Sequence, residues 1–136
     1  MSIEKTCLKD GVTEYKIAAG TRYELWAIAV WCREELSVTI GNPCAHIGAV
    51  AMACPRPPVN GVEKSASISS ISAFAHKDEY MAREAAVKLA TALKRHTAVT
   101  AGVHIDDAEK AELKLLLDEC GQLCDAIIAD GVARHE

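Results

Sequence analysis

The sequence lacks the features that mark several large classes of protein. Its 136 residues carry 15 Lys and Arg against 19 Asp and Glu. Because the basic residues are scattered, no basic stripe favours nucleic acid. No apolar run approaches the ~20 residues of a membrane span, and no charged segment precedes an apolar leader. We therefore expect one cytoplasmic domain over residues 1–136, long enough to bury a core without disulfides.

Motifs of autonomous catalysis are missing as well. The sequence has no paired general-acid carboxylates, no nucleophile elbow and no glycine-rich dinucleotide fingerprint. Its six cysteines include no C-x-x-C pair, which argues against a disulfide framework. Cys54, Cys120 and Cys124 fall among apolar residues, as buried thiols do. Cys44, two residues before His46, is a candidate thiolate or soft metal ligand. These absences favour a binding and transfer protein over an enzyme.

Hydrophobic periodicity predicts six strands and two helices. The second strand is nearly all apolar from Leu25 onward, which favours a strand covered on both faces. Asp107 is predicted to be the N-cap of the second helix and Gly131 to end it. The predicted strands cover residues 12–19, 22–31, 36–40, 47–54, 65–75 and 97–105, and the helices residues 77–95 and 107–131. The order βββββαβα predicts a two-layer α+β domain, a mixed sheet of about six strands packed by two helices.

Three histidines, His46, His76 and His104, stand where apolar strand-like runs begin or end. The fifth strand, first helix and sixth strand form a βαβ unit, so these two strands are expected to be parallel. Their carboxyl ends carry His76 and His104. If the fourth strand pairs antiparallel with the fifth, His46 lies at the same edge. Both helices also begin there, and their free N–H groups favour an anion such as phosphate.

Each residue at this edge has a structural and a functional interpretation. The histidines are metal-ligand or flavin-contact candidates, or separate caps and surface residues. The stretch from Gly48 reflects either close ligand approach or tight helix packing. Lys77 aims at a phosphate or belongs, with Asp78, to a solvated first turn. Asp106 either orients the histidines or, like Asp107, caps the second helix.

Three segments together resemble the LpdD-like family, the small D-subunits associated with gallate and protocatechuate decarboxylases. They are Pro43-x-x-His46-Ile47-Gly48-Ala49-Val50-Ala51, Ala75-His76-Lys77-Asp78 and Ala101-Gly102-Val103-His104-Ile105-Asp106. The resemblance covers residues 36–128. The extra thiols Cys44 and Cys54 depart from the family's pattern.

The resemblance implies a chaperone of prenylated FMN, with FMN bound more weakly, that helps a UbiD-type decarboxylase acquire its active cofactor. The residues it implies for cofactor binding are His46, Ile47, Gly48, His76, Lys77, His104 and Asp106. A divalent metal held by His46, His76 and His104 is a further hypothesis, because imidazoles suit transition metals.

Two other functions stay open from the sequence. Three histidines could instead form a small metal-dependent enzyme with an open coordination position. The histidines could also be interface residues of a structural decarboxylase subunit. In either case the segments 25–31 and 47–54 present more apolar surface than two helices cover, which predicts a homodimer.

Overall fold

The computed structural model describes residues 2–17, 23–43, 45–57, 66–73 and 76–134, with the side chain of His76 outside that description. The described chain forms seven strands and two helices, which confirms the α+β class. In chain order these are β1 (Ile3–Lys9), β2 (Val12–Ile17), β3 (Leu25–Cys32), β4 (Glu35–Gly41), β5 (Ala49–Pro55), β6 (Ala66–Ser72), α1 (His76–Leu93), β7 (Thr97–Gly102) and α2 (Lys110–Arg134).

All seven strands belong to one mixed sheet, in the order β1-β2-β3-β4-β7-β5-β6. β4 and β7 are parallel, and every other neighbouring pair is antiparallel. β5 lies between β6 and β7, so the two strands joined by α1 are parallel to each other, as predicted. The carboxyl ends of β4, β6 and β7 therefore share an edge with the start of β5.

β1 is the strand that the periodicity did not predict. It pairs with β2 through a tight turn at Asp10 and Gly11, where Gly11 has a φ of 79°. An Asp-Gly pair is a common hairpin turn because glycine adopts positive φ without strain. Most of β1 is exposed at the sheet edge, so its sequence lacks the apolar alternation of a half-buried strand.

The helices cover one face of the sheet. On β5, Ala49, Ala51 and Ala53 are buried, whereas Val50 and Met52 on the other face are 40% and 48% exposed. The small side chains of β5 allow α1, with its own buried alanines, to pack close to the sheet. This packing supports the structural interpretation of the small-residue stretch. β3 alternates buried and half-buried residues, so the prediction of a strand covered on both faces was wrong.

The second helix differs from its prediction at both ends. Asp107 has a φ of 52° and precedes α2, which begins at Lys110; the prediction of Asp107 as N-cap was therefore wrong. Instead, the Glu109 N–H donates to Glu112 Oε1 over 3.2 Å at the helix start. Gly131 lies inside α2, where a Cβ would come 2.7 Å from Leu93 Cδ2. Its small size serves close packing and does not end the helix.

In the described part of the chain, neither helix has the length and apolar character needed to cross a membrane.

Candidate functional site at the histidine edge

The structure brings His46 and His104 together at the predicted sheet edge. Their ring centroids lie 6.5 Å apart, with 35° between the ring planes. His104 follows the end of β7 and His46 precedes the start of β5, so the antiparallel pairing of β5 and β7 juxtaposes them. α1 begins at His76 beside the same edge. The side chain of His76 lies outside the described part of the structure.

Glycines allow the His46 segment to cross directly over β7. A Cβ at Gly102 would collide with the carbonyl oxygen of His46. The Gly48 N–H donates to the Ala101 carbonyl over 3.0 Å, and the Gly48 carbonyl accepts from the Ala73 N–H over 2.7 Å. The chain before β5 is thereby bound to both neighbouring strands. This crossing fixes the backbone position of His46.

Asn42 fixes the backbone of His104. Its side-chain Nδ2 donates to the His104 carbonyl over 2.7 Å, and its Oδ1 accepts from the His104 N–H over 3.2 Å. Asn42 is 5% exposed, and its own carbonyl accepts from the Ala45 N–H over 3.0 Å. Asn42 thus connects the two segments: its backbone carbonyl binds the segment that carries His46, and its side chain binds the one that carries His104. Sequence reasoning did not predict this role of Asn42.

The first turn of α1 holds the chain just before His104. Lys77 Nζ donates to the Val103 carbonyl over 2.8 Å, and Asp78 Oδ1 accepts from the Val103 N–H over 3.2 Å. Asp78 is 1% exposed and lies where a side chain at position 48 would be. The interpretation of these two residues as a solvated turn was therefore wrong. Because Gly48 has no side chain, the carboxylate of Asp78 fits beside its backbone.

Asp106 contacts the exposed imidazole of His104. His104 Nε2 and Asp106 Oδ1 lie 2.7 Å apart, and the two side chains are 50% and 86% exposed. The carboxylate orients this ring. On the neighbouring segment, His46 Nδ1 lies 3.4 Å from the Ile47 carbonyl, and the Ile47 side chain is 65% exposed. The edge therefore presents two imidazoles and one apolar side chain to solvent.

Two clefts flank the imidazole pair. The first, which we call the Trp26 cleft, has a volume of about 210 Å³. Trp26 lies over Gly41, where a Cβ would be 3.0 Å from the indole carbons Cζ2 and Cη2. The residues that line the Trp26 cleft are Trp26, Thr39, Ile40, Gly41, Asn42, Ala45, His46, Ile47, Thr100 and Gly102. None of these residues except His46 is ionisable, so this cleft is suited to an uncharged, flat group.

The second, which we call the Tyr23 cleft, has a volume of about 270 Å³. Its lining residues are Tyr23, Glu24, Asn42, Pro43, His104, Ile105 and Asp106. The Tyr23 hydroxyl donates to Glu119 Oε1 over 2.9 Å. Burial, with this carboxylate as a further cause, raises the pKa of the Tyr23 phenol above its usual range. Tyr23 is therefore a neutral hydrogen-bonding group at all physiological pH values. Sequence reasoning singled out neither it nor Trp26.

The described residues contain no group of three His, Cys, Asp or Glu side chains placed to hold a metal. His46 and His104 supply two imidazoles, and the third predicted ligand, the side chain of His76, lies outside the description. The divalent-metal site stays a prediction. Cys44 is also outside the described residues. Cys54 lies near the far end of β5 from His46, so the structure does not put its thiol beside this edge.

The comparisons with known proteins point to a chaperone. A family model described as the prenylated flavin chaperone LpdD-like domain matches residues 19–131. The match covers most of the chain, and the chain belongs to this family, which confirms the resemblance found in the sequence. Membership implies a chaperone role and an association with prenylated flavin.

The fold also has a likeness among solved structures. The chain is similar to one in the crystal structure of a novel chaperone complex for yeast 20S proteasome assembly, with a TM-score of 0.51 and 16% identity over 87% of this chain and 98% of that chain. At this identity the likeness shows the fold alone. No curated protein matches the sequence.

Proposed function

We propose that this protein binds prenylated FMN at the histidine edge and delivers it to a UbiD-type aromatic acid decarboxylase, without catalysing decarboxylation itself. The observation that carries the proposal is the His46–His104 pair beside an uncharged cleft with a tryptophan in its lining. Imidazoles donate hydrogen bonds to phosphate and carry positive charge when protonated. The Trp26 indole, with Thr39 and Ile47 in the same lining, offers an aromatic contact to a flat ring system.

The residues present fit the chemistry of the cofactor. The Trp26 cleft and the Tyr23 cleft, at about 210 and 270 Å³, are each smaller than the roughly 300–1,000 Å³ of typical ligand pockets. A flavin nucleotide therefore extends beyond either cleft alone. We assign the ring system to the Trp26 cleft and the phosphate to the imidazoles. The acidic side chains Glu24 and Asp106 make the interior of the Tyr23 cleft unfavourable for a phosphate.

Lys77 has a supporting role in this proposal. Its ammonium group donates to the Val103 carbonyl, so it contributes positive charge near the edge while it holds the backbone that precedes His104. Ile47 and Gly48 shape the crossing over β7, and Asp106 orients His104. The described side chains offer a metal no complete site, and phosphate recognition by imidazole groups needs none.

Delivery follows from the openness of the site. Both clefts are shallow and His46 and His104 are exposed, so a cofactor bound there stays accessible to a partner enzyme. Transfer then needs only that the decarboxylase binds the cofactor more tightly than this chain does. A rigid donor site that leaves one side of the ligand uncovered suits such an exchange.

We further propose a homodimer through the face of the sheet that the helices leave uncovered. Ile28, Thr39, Thr100, Val50 and Ile71 form one cross-strand row on this open sheet face. The exposed apolar side chains on this face, Val50, Met52 and Ile71, lie on β5 and β6, at the end of the sheet away from Trp26. Val50, Met52 and Ile71 carry no charge, so a second copy can pack on this end of the face by sheet-on-sheet packing and leave Thr39, Thr100 and the rest of the Trp26 cleft open to a ligand.

A flavin titration tests the proposal. Prenylated FMN and FMN are titrated into the wild type, a His46→Ala/His104→Ala variant and a His96→Ala variant. His96 is a matched control because it is half-exposed and paired with Glu35 over 2.6 Å, but precedes β7 at the opposite edge. We expect saturable binding that falls at least about tenfold in the double variant only, a loss of ~1.4 kcal/mol or more. Equal affinity in all three proteins would refute the site.

Co-expression with a UbiD-type decarboxylase tests delivery. We expect higher partner activity with the wild type and with His96→Ala than with the double variant, and no decarboxylation by the chain alone. Equal partner activity with all three soluble chains would exclude the histidine edge as the delivery site.

A further inference from the structure

Three sulfur-bearing side chains line one cavity between the two helices, away from the histidine edge. Met81 comes from α1, and Cys120 and Cys124 lie one turn apart on α2. They are 1%, 5% and 1% exposed, respectively. The cavity has a volume of about 370 Å³, and its lining also includes Tyr80, which is 54% exposed. We call these three residues the sulfur cluster.

The two thiols cannot form a disulfide without distortion of α2. Residues four apart on a helix have Cβ atoms about 5–6 Å apart, whereas a disulfide requires about 3.5–4.5 Å. Cys120 and Cys124 are instead separate, buried thiols that line the same cavity from one face of α2. The two sulfur atoms therefore lie on neighbouring turns of the helix but too far apart for a disulfide bond. A metal ion between the two thiols bridges a longer distance than a disulfide bond does, because each metal–sulfur bond is about 2.3 Å long.

We propose that the sulfur cluster binds a soft monovalent cation of the Cu(I) class, with the Cys120 and Cys124 thiolates as principal ligands and the Met81 thioether as a weaker third. Thiolate and thioether ligands favour Cu(I), zinc and iron–sulfur clusters among the first-row metals, and of these Cu(I) is the one that suits so few ligands. A structural zinc site requires four ligands. In the described chain, no His, Asp or Glu joins these cysteines to make a group of three metal-holding side chains.

One lysine in the cavity lining, Lys88, offsets part of the charge of a monovalent ion held by two thiolates. Such a complex carries one net negative charge. Lys88 lines the cavity, and its ammonium lies 3.3 Å from the Gly121 carbonyl and 2.8 Å from Asp125 Oδ1. Lys114 lines the cavity as well, as do the acidic Glu84 and Asp118. The Lys88 ammonium group lowers the cost of thiolates in this buried position.

An anaerobic Cu(I) titration of the full, reduced chain tests this proposal. A chromogenic Cu(I) chelator competes for the ion with the wild type, Cys120→Ser, Cys124→Ser, Met81→Leu and a Cys7→Ser/Cys32→Ser control. The control removes the two exposed cysteines. We expect one tightly bound ion, an affinity loss of at least about 100-fold in each single Cys variant, and a smaller loss in Met81→Leu. Loss of outer-shell groups alone costs about 10–100-fold in metal affinity.

Two outcomes overturn the proposal. One is equal affinity in the wild type and both single Cys variants. The other is nitrogen coordination, measured by X-ray absorption at the copper edge on the wild type, which needs no variant to fold. A His46→Ala/His104→Ala variant with unchanged Cu(I) affinity would support it, because the sulfur cluster and the histidine edge are separate sites. Zinc bound as tightly as Cu(I) by the same cysteines would also contradict it.

Discussion

The carboxylate of Asp78 occupies the space beside Gly48 that a side chain at position 48 would need. The two residues are 30 positions apart in the chain, and their packing joins the start of α1 to the backbone that leads into β5. Since Asp78 also accepts from the Val103 N–H, this packing reaches the third segment of the histidine edge. The pair therefore connects the segments that carry His46, His76 and His104.

Gly48→Ala should destabilise the fold by about 1–3 kcal/mol, the usual cost of an overpacked site. The added methyl group would overlap the buried carboxylate of Asp78 and displace the backbone beside it. Denaturant unfolding measures the change. Gly121→Ala is the matched control, because a Cβ there lies 3.7 Å from Lys88 Nζ, an ordinary contact. In that helical position alanine should stabilise by up to about 1 kcal/mol. Equal stability of the two variants would contradict the packing described.

Asn42→Ala should lower the free energy of unfolding by about 1–3 kcal/mol, because it leaves the backbone N–H and carbonyl of His104 without their partner. It should also weaken flavin binding, since His104 would lose its fixed backbone position. Chemical denaturation and the flavin titration measure the two effects. Thr6→Ala, an exposed substitution on β1, should change stability little. The prediction is wrong if the two variants unfold alike.

Flavin binding should quench the fluorescence of Trp26 and leave that of Trp31 largely unchanged. Trp26 lines the Trp26 cleft, whereas Trp31 lies under the guanidinium of Arg134, 5.4 Å from its ring centroid. Quenching should persist in Trp31→Phe and be lost in Trp26→Phe, which retains an aromatic ring for packing. Quenching that depends on Trp31 would argue against the assignment of the flavin ring to this cleft.

A Val50→Lys/Ile71→Lys variant should be monomeric where the wild type is dimeric. Val50 and Ile71 are cross-strand partners on the open sheet face, 40% and 77% exposed. Two ammonium groups there would have to be desolvated in a sheet-on-sheet interface, which is costly. Light scattering over micromolar concentrations measures the mass. Leu8→Lys, at a 52% exposed position on β1, should leave the dimer intact. A wild type with the mass of one chain would rule out this dimer.

The sequence predicted the parts of the edge that follow from general rules of chain topology. His46 and His104 meet because a helix-linked strand pair is parallel and the intervening strand is antiparallel to both. Asn42 and Asp78 could not be predicted in the same way. Their hydrogen bonds reach His104 and Val103 across 62 and 25 positions, and no local pattern signals such a long-range side-chain bond. Trp26 was overlooked because its apolar neighbours suggested a strand buried on both faces.

The double attachment of Val103 to Lys77 and Asp78 has a consequence for the kinetics of exchange. Both backbone groups of Val103 are held by side chains from the first turn of α1, so the loop that carries His104 cannot swing away unless both hydrogen bonds break. Motions of this kind draw on local unfolding and are slower than the fluctuations of a free loop. The lifetime of a bound ligand should then be set by contact with its recipient, and the Val103 amide should exchange with solvent deuterium no faster than the helix beside it.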